Sequence, residues 1–357
     1  MRVIAALSGG VDSAVAAARA VDAGHDVVGI HLALARAPSV GGRSKGCCSA
    51  ADAHDARRVA DVLGIPFYVW DLSEEFTEQV IEDFVEQYRA GRTPNPCLRC
   101  NEAIKFSAVL DRAQALGFDA VCTGHYARIV HGPRGAELHR AVDEAKDQSY
   151  VLSVLTLAQI ESTLLPLGDS VKSQVRADAA ARGLRVADKP DSHDICFIPD
   201  GDTAGWLHDK LGESPGDVMD QASGAVLGQH RGTHTFTVGQ RRGLALSSPA
   251  PDGARRYVVD VDPAAGRVWV GAEDLLSVTR IEASQPRWCA APPVSGDRVE
   301  IQIRAHGEHH PAVIEVTGGG VIAELDIAVR SVAPGQAMAM YDGTRVIGSA
   351  TIERSRR

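Results

Sequence analysis

The chain has 357 residues, 45% hydrophobic and 23% charged, which suits two or three folded domains and rules out a disordered chain. No run of 18 apolar residues occurs, and the apolar segment behind Met1 and Arg2 ends at Leu7. Neither a membrane span nor export is therefore expected, and a cytoplasmic location is. A formal charge of −9 excludes a protein coated in basic residues, and seven cysteines without an export signal read as working or buried thiols rather than a disulfide framework.

In chain order, residues 3–7 form a buried strand, followed by a glycine turn and an alanine-rich helix over 13–23. A second strand covers 27–34, a helix 49–63 with Ser49 as its cap, a third strand 65–72, and an acidic helix runs from 73 to about 90. A further helix covers 102–116 and a strand 120–129. The Gly- and Ser-rich residues 36–46 suggest a mobile loop. Strands alternating with helices of this length indicate a parallel sheet covered on both faces. Beyond about residue 200, Gly and Pro become frequent and short strands recur at 233–238, 256–261, 267–270, 299–303, 312–316 and 321–325, an all-β signature. The expected organisation is three domains, 1–200, 201–272 and 273–357. The fold class is α/β, with an N-terminal parallel-sheet nucleotide-type domain, a small central domain and a C-terminal β-barrel.

The string Ser8-Gly9-Gly10-Val11-Asp12-Ser13 lies where the first strand meets the first helix. Paired glycines let backbone N–H groups approach an anion, and the helix adds its positive end. Ser8 and Ser13 can donate to phosphate oxygens, and Asp12 can hold a metal ion or fix the turn. The lysine of a Walker A loop is missing, as is the third glycine of a dinucleotide loop. An ordinary strand-to-helix turn is the alternative, but the whole string resembles the PP-loop of ATP pyrophosphatases, which cleave ATP to AMP and pyrophosphate.

Cys97-Leu98-Arg99-Cys100 follows Thr93-Pro94-Asn95-Pro96, a stiff extended loop. With a helix starting at Glu102, Cys100 would sit beside a helix N-terminus, which lowers a thiol's pKa. Half a zinc site, a redox pair and a catalytic thiol all remain open. Cys196, within Ile195-Cys196-Phe197-Ile198, has apolar neighbours and can equally be a core cysteine. Cys122 and Cys289 read as core, and Cys47-Cys48 as either. Thr123-Gly124-His125-Tyr126 ends a strand, where ligands of open α/β sheets bind. Lys146-Asp147-Gln148-Ser149-Tyr150 precedes a helix and can be a plain polar cap. Arg231, Arg241, Arg242, Arg255 and Arg256 oppose a single Asp252, making a local basic stretch on an acidic chain.

Together these strings resemble the tRNA-specific 2-thiouridylases, the MnmA (TrmU) family, over nearly the whole chain. The resemblance rests also on Gly91-Arg92-Thr93-Pro94-Asn95-Pro96, Cys100-Asn101, Ile104-Lys105-Phe106 and Thr237-Val238-Gly239-Gln240-Arg241-Arg242-Gly243-Leu244. It implies a PP-loop (adenine nucleotide alpha hydrolase-like) domain and replacement of the 2-oxygen of a wobble uridine by sulfur. ATP would be the cosubstrate, with Mg²⁺, and tRNA a partner through its anticodon loop. A cysteine desulfurase or sulfur-relay protein would be the donor.

Carried over by position, the ATP contacts would be Ala6, Leu7, Ser8, Gly9, Gly10, Val11, Asp12, Ser13, Leu32 and Gly124. Cys100 would be the nucleophile and Cys196 the persulfide carrier. Asn95, Pro96 and Cys97 would touch the target base, and His125, Lys146, Asp147, Gln148, Arg304 and Gln336 would contact tRNA. Arg241 and Arg242 are then expected near its phosphates. Two positions depart from the family pattern: Cys97 stands where many members have Asp, and His193 where many have Gln. The extra thiol raises a second arrangement, an iron–sulfur cluster on Cys97, Cys100 and Cys196. An adenylating ligase acting on a small carboxylate and a non-catalytic nucleotide sensor are the competing functions.

Overall fold

The computed structural model describes residues 1–35, 50–190, 195–198, 200–244, 246–247 and 253–357. The expectations placed on Cys47, Cys48, Ser49, His193 and residues 36–46 lie outside the described residues.

Strands β1 (Arg2–Ala6), β2 (Asp26–Ala33), β3 (Phe67–Asp71) and β4 (Ala120–Cys122) come first. They are followed by β5 (Ala127–Gly132), β6 (Gly135–Arg140) and β7 (Thr163–Leu164). Five of them form a parallel sheet in the order β3-β2-β1-β4-β7, with Val3 opposite Val27 on one side and Ala120 on the other. Alternation sends successive β1 side chains to opposite faces. Val3 and Ala5 pack against the alanine-rich helix Val11–Asp22 and helix Lys172–Ala181, while Ile4 packs with Ile30 and Val121 on the other face. Small side chains let the first helix lie close to the sheet.

The strand expected over 120–129 is two strands in different sheets. After Cys122 the chain leaves the parallel sheet, because Thr123 Oγ1 hydrogen-bonds His125 Nδ1 (2.8 Å) and Gly124 lies against the backbone of Asp12 and Ser13. The β5–β6 hairpin then joins the C-terminal sheet, with His139 opposite Arg345. The N-terminal half thus lends a hairpin to the barrel, and Leu138, Tyr150 and Leu152 share an apolar cluster with Tyr341 and Val346.

Strands β8 (Gly216–Asp220), β9 (Val226–His230), β10 (Tyr257–Asp262) and β11 (Arg267–Gly271) make a four-stranded central sheet, order β10-β11-β8-β9. The strand expected over 233–238 is instead a 3₁₀ turn, Thr233–Thr235. Thr235 Oγ1 donates to Gly232 O (2.8 Å) and Phe236 N to Thr233 O (3.1 Å), so local bonds replace a strand ladder.

The barrel comprises β12 (Ser277–Trp288), β13 (Arg298–Gln302), β14 (His309–Val316), β15 (Gly320–Arg330), β16 (Ala337–Asp342) and β17 (Arg345–Arg356). Its order is β12-β15-β14-β13-β16-β17, and antiparallel pairing of β17 with β12 closes it around Ile281, Ile301, Ile314, Met338 and Met340. Closure removes the free edges of these six strands from one another.

Candidate active site at the carboxyl edge of the parallel sheet

The glycine loop begins where β1 ends. Leu7 N donates to Ile30 O (2.7 Å), and the buried His31 ring bonds Leu7 O through Nδ1 (2.9 Å). Gly9 adopts φ +79°, and a Cβ there would stand 2.4 Å from Asp52 O; only glycine fits this left-handed, crowded position. Ser13 Oγ accepts Ser8 N–H (3.1 Å) and donates to Gly10 O (3.0 Å), which folds the loop over the helix start while Ser8 stays exposed. Gly10, Val11, Asp12 and Ser13 form the first helical turn with its cap, so their N–H groups converge on the loop's open side. Gly124, half-buried, abuts this turn, where a Cβ would fall 2.6 Å from Ser13 N. Ala6 and Leu32 lie half-buried near the ends of β1 and β2, and Leu7 is buried.

Asp12 fixes the turn. Tyr126 Oη donates to its Oδ1 (2.8 Å), and Lys172 Nζ bonds both oxygens (2.8 and 2.7 Å). Lys189 Nζ reaches the loop from the other flank, donating to Gly9 O (2.9 Å), Asp52 Oδ1 (2.7 Å) and Asp55 Oδ2 (2.9 Å). Burial works against the Lys189 charge, but the two carboxylates hold its pKa above the ordinary lysine value. Sequence reasoning missed both lysines: each is distant from the loop in sequence and lies in no motif. Asp12 is the loop's sole carboxylate, and both its oxygens are engaged by Lys172, so the loop offers no ready ligand to a resident magnesium ion.

The Cys97–Cys100 segment is a correction to the expected helix start. The helix begins at Pro96, not Glu102; Asn95 is its cap, with Asn95 Oδ1 accepting Cys97 N–H (3.0 Å), and Pro occupies the first turn. Cys97 is therefore the thiol at the helix N-terminus. Cys100 lies one turn further in, buried, where the helix passes into a π-helical stretch, Asn101–Ala108. Such wide turns recur at functional sites. Asn101 Nδ2 donates to Val151 O (2.8 Å), tying this helix to the segment that follows Lys146-Asp147-Gln148. Glu102 accepts Arg99 (2.9 Å) and Arg287 of the barrel (2.7 Å), and Arg99 Nε also donates to Gln79 O (3.1 Å).

Cys196 is half-buried, and its neighbour Phe197 sits among Phe76, Phe84 and Trp206, with ring centroids 5.3 to 6.0 Å away. Edge and tilted contacts of this kind hold the segment in place. Cys100 and Cys196 pack into one apolar cluster with Ile4, Ile30, Leu34, Trp70, Leu72 and Val121. Leu34 and Leu72 follow the carboxyl ends of β2 and β3, so two thiols remote in sequence meet one hydrophobic patch at the sheet edge that carries the glycine loop. Among the described residues no group of three or more His, Cys, Asp or Glu side chains is placed to hold a metal ion. Cys122 and Cys289 are core thiols; burial pushes Cys122 up to about 12 and raises Cys289 as well.

The remaining candidates divide. His125 is buried, and burial, with Lys105 nearby, holds its pKa well below the ordinary imidazole value. Gln148 clamps Tyr126 at both N–H and C=O, and Asp147 accepts Ala141 N–H (2.8 Å) and Ser149 Oγ–H (2.6 Å); both side chains serve the local backbone. Lys146 is half-buried. Gln336 Nε2 donates to Thr93 O, Pro334 O accepts Thr93 N–H (2.7 Å), and Arg92 pairs with Glu353 (3.0 Å). Thr93 Oγ1 donates to Thr237 Oγ1 (3.2 Å), so residues 91–96 are where all three parts of the chain meet.

Arg304 is exposed and donates to Arg330 O and Ser331 O (2.7 and 3.3 Å). A Cβ on Gly239 would touch Ser331, which brings Arg304 beside the segment bearing the exposed Arg241 and Arg242. Arg256, counted in the basic stretch, is instead buried and paired with Asp220 (3.3 Å).

A parallel sheet ending in a glycine loop, a linking β domain and a closed barrel define the class. Residues 1–200 match the family model described as tRNA methyl transferase HUP domain, 204–272 the tRNA methyl transferase PRC-barrel domain, and 278–352 the aminomethyltransferase beta-barrel domain. The chain is 64% identical to the tRNA-specific 2-thiouridylase MnmA of Acidothermus cellulolyticus over 100% of this chain and 99% of that protein. It is 59% identical to the protein of that name from Nocardioides sp. over 100% and 99%, and 59% identical to that of Cutibacterium acnes over 99% and 96%. It belongs to the family of tRNA-specific 2-thiouridylases, MnmA. Among solved structures, NMN synthetase from Francisella tularensis aligns at 22% identity and TM-score 0.32, covering 59% of this chain and 72% of that one.

Proposed function

We propose that this chain thiolates tRNA, replacing the 2-oxygen of a wobble uridine with sulfur at the expense of ATP. The observation that carries the reading is the common apolar cluster of Cys100 and Cys196, which includes Leu34 and Leu72 at the sheet edge where β1 runs into the glycine loop. A pyrimidine carbonyl oxygen is a poor leaving group, so O2 attacks the α-phosphorus of ATP and pyrophosphate departs. Residues 8–13 hold the departing phosphates through backbone N–H groups, with Leu32 and Gly124 lining the nucleotide. Lys172, paired with Asp12, and Lys189, paired with Asp52 and Asp55, hold the loop's shape from either flank, and any magnesium enters with the nucleotide.

The terminal sulfur of a Cys196 persulfide then bonds to C2. The Cys100 thiolate attacks the Cys196 sulfur, the S–S bond breaks, and AMP leaves as the thiocarbonyl forms. One Cys100–Cys196 disulfide remains, and a dithiol must reduce it before the next cycle. Asn95, Pro96 and Cys97 meet the extruded base. Lys146, Arg304, Arg241 and Arg242 face the RNA backbone, and His125, Asp147, Gln148 and Gln336 act there by shaping the surface. The division into 1–200, 201–272 and 273–357, a cysteine desulfurase or relay protein as donor, and a cytoplasmic location belong to the same reading.

The test is ATP–pyrophosphate turnover with and without unmodified tRNA, followed by sulfur analysis of its nucleosides. AMP formation that needs tRNA and matches 2-thiouridine supports the reading. Pyrophosphate release without tRNA, or unimpaired thiolation by both Cys100→Ser and Cys196→Ser, refutes it.

A further inference from the structure

The peptide between Gly9 and Gly10 is the most easily turned unit of the glycine loop, because neither residue has a Cβ to resist a half-turn of its plane. Its orientation decides what the loop can bind. The peptide is trans, so its C=O and N–H point in opposite directions. With the oxygen turned away from the open side, Gly10 N–H faces an incoming anion; turned over, the same peptide presents a carbonyl to it. Lys189 holds the oxygen. Its Nζ donates to Gly9 O (2.9 Å), Asp52 Oδ1 (2.7 Å) and Asp55 Oδ2 (2.9 Å), three acceptors for the three N–H bonds of an ammonium group. Its donors are thus spent, and it acts on the loop through one carbonyl rather than on a phosphate. The lysine is itself fixed. Arg176, from helix Lys172–Ala181, donates to Ala187 O (2.6 Å) and Lys189 O (3.0 Å). Asp52 and Asp55 belong to helix Ala50–Leu63, whose backbone at Asp52 crowds Gly9.

We infer that Lys189 is a positioning residue for the pyrophosphate end of ATP: by holding Gly9 O, it keeps the Gly9–Gly10 peptide turned so that Gly10 N–H meets the departing phosphates. This rests on the nucleotide reading proposed above. Gly10 separates this role from simple support of the fold. It has φ −101° and ψ 165°, an extended conformation open to any residue. A half-turn of the Gly9–Gly10 peptide would carry its φ to the left-handed side, which alanine resists. Among the described residues, a Cβ on Gly10 would meet Ser8 Oγ alone within 4 Å, at 3.5 Å, an ordinary contact. Gly10→Ala therefore locks by steric exclusion the orientation that Lys189 holds by a hydrogen bond.

The experiment measures the affinities of magnesium pyrophosphate and of AMP by calorimetry on the full chain in four forms: unsubstituted, Lys189→Met, Gly10→Ala and the two together. Against the unsubstituted chain, Lys189→Met should weaken pyrophosphate about tenfold and leave AMP within about twofold, since AMP lacks the phosphates that the loop holds. In the presence of Gly10→Ala, the same lysine substitution should cost pyrophosphate less than about twofold. Each comparison stays within one background, so any obstruction by the new methyl cancels. Equal losses of pyrophosphate affinity in both backgrounds, equal losses for AMP and pyrophosphate, or no loss overturn the inference and leave the nucleotide reading standing. Should Lys189→Met fail to fold, the unsubstituted chain labelled with ¹⁵N-glycine decides: the Gly10 amide resonance should move downfield on saturation with pyrophosphate, and an unmoved resonance overturns the inference. An unsubstituted chain that binds neither pyrophosphate nor ATP overturns the nucleotide reading itself, and the inference with it.

Discussion

Gly124 is a residue whose replacement by alanine has a consequence that can be worked out in advance. A Cβ at this position would stand 2.6 Å from both Asp12 C and Ser13 N, whereas ordinary contact begins at 3.4 Å. The obstacle is backbone, so relief requires moving the first turn of helix Val11–Asp22 by close to ~1 Å, a form of overpacking that costs about 1–3 kcal/mol. The N–H groups that would meet the phosphates move with it, and a displacement of about 1 Å at a reacting site costs on the order of 10²-fold in rate. Gly124→Ala is therefore expected to lower kcat/KM for ATP by about two orders of magnitude, and Tm by a few degrees, about 2–4 °C per kcal/mol for a unit of this size. Gly132→Ala is the matched control, since nothing lies within 4 Å of the new methyl; it should leave both quantities unchanged. A Gly124→Ala protein with unaltered kcat/KM for ATP and unaltered Tm would refute the argument that this glycine sets the loop.

Four further outcomes are expected. Lys172→Met removes the cation from Asp12, whose carboxylate is then left to Tyr126; KM for ATP should rise about tenfold, near the ~1.5–3 kcal/mol of a charge-assisted hydrogen bond, and an unchanged KM would count against a phosphate role. Arg241→Ala and Arg242→Ala should each weaken tRNA binding and reduce the slope of log K against log salt by about one; identical slopes would leave both arginines outside the interface. His125 is held neutral by burial first and by Lys105 second, so its folded pKa lies below the unfolded imidazole's. The unfolded chain binds the extra proton, and stability present above about pH 6.5 is lost as pH falls below it. His230, His234 and His309 share the direction, so Tm should drop between about pH 7.5 and 5.5, and less steeply in His125→Gln; a flat Tm would contradict the assignment. Arg287→Ala removes the barrel's ion pair to Glu102, with Arg287 half exposed, so stability should change by less than about 1 kcal/mol while thiolation slows; a protein unaffected in rate would show that the barrel does not steady the cysteine helix.

Local chemistry was legible where it announces itself locally. The helix–strand alternation gave the parallel sheet because its periods are strong, and residues 8–13 marked the glycine loop because paired glycines and serines at a strand end have few other uses. What stayed hidden depends on partners remote in sequence. Lys172 and Lys189 bear on the loop from helix Lys172–Ala181 and from beyond it, and no pattern around them says so. The start of β5 was read as the tail of a strand over 120–129, β6 was not read at all, and the pairing of β6 with β17 is a tertiary decision. The position of the helix start before Cys97 could have been found: Asn95 followed by Pro96 is a cap and first-turn signature. Arg256 counted as surface charge because nothing nearby in sequence marks Asp220 as its partner.

Single-turnover transfer from a labelled persulfide asks the central question most directly. With sulfur-labelled persulfide on Cys196, ATP and excess unmodified tRNA, one equivalent of label should appear as 2-thiouridine together with one equivalent of AMP, and Cys100→Ser should leave the label on the protein or in a mixed adduct. Label that remains on Cys196 while AMP accumulates in the unsubstituted chain would contradict a sulfur handed from one thiol to the base under the attack of the other.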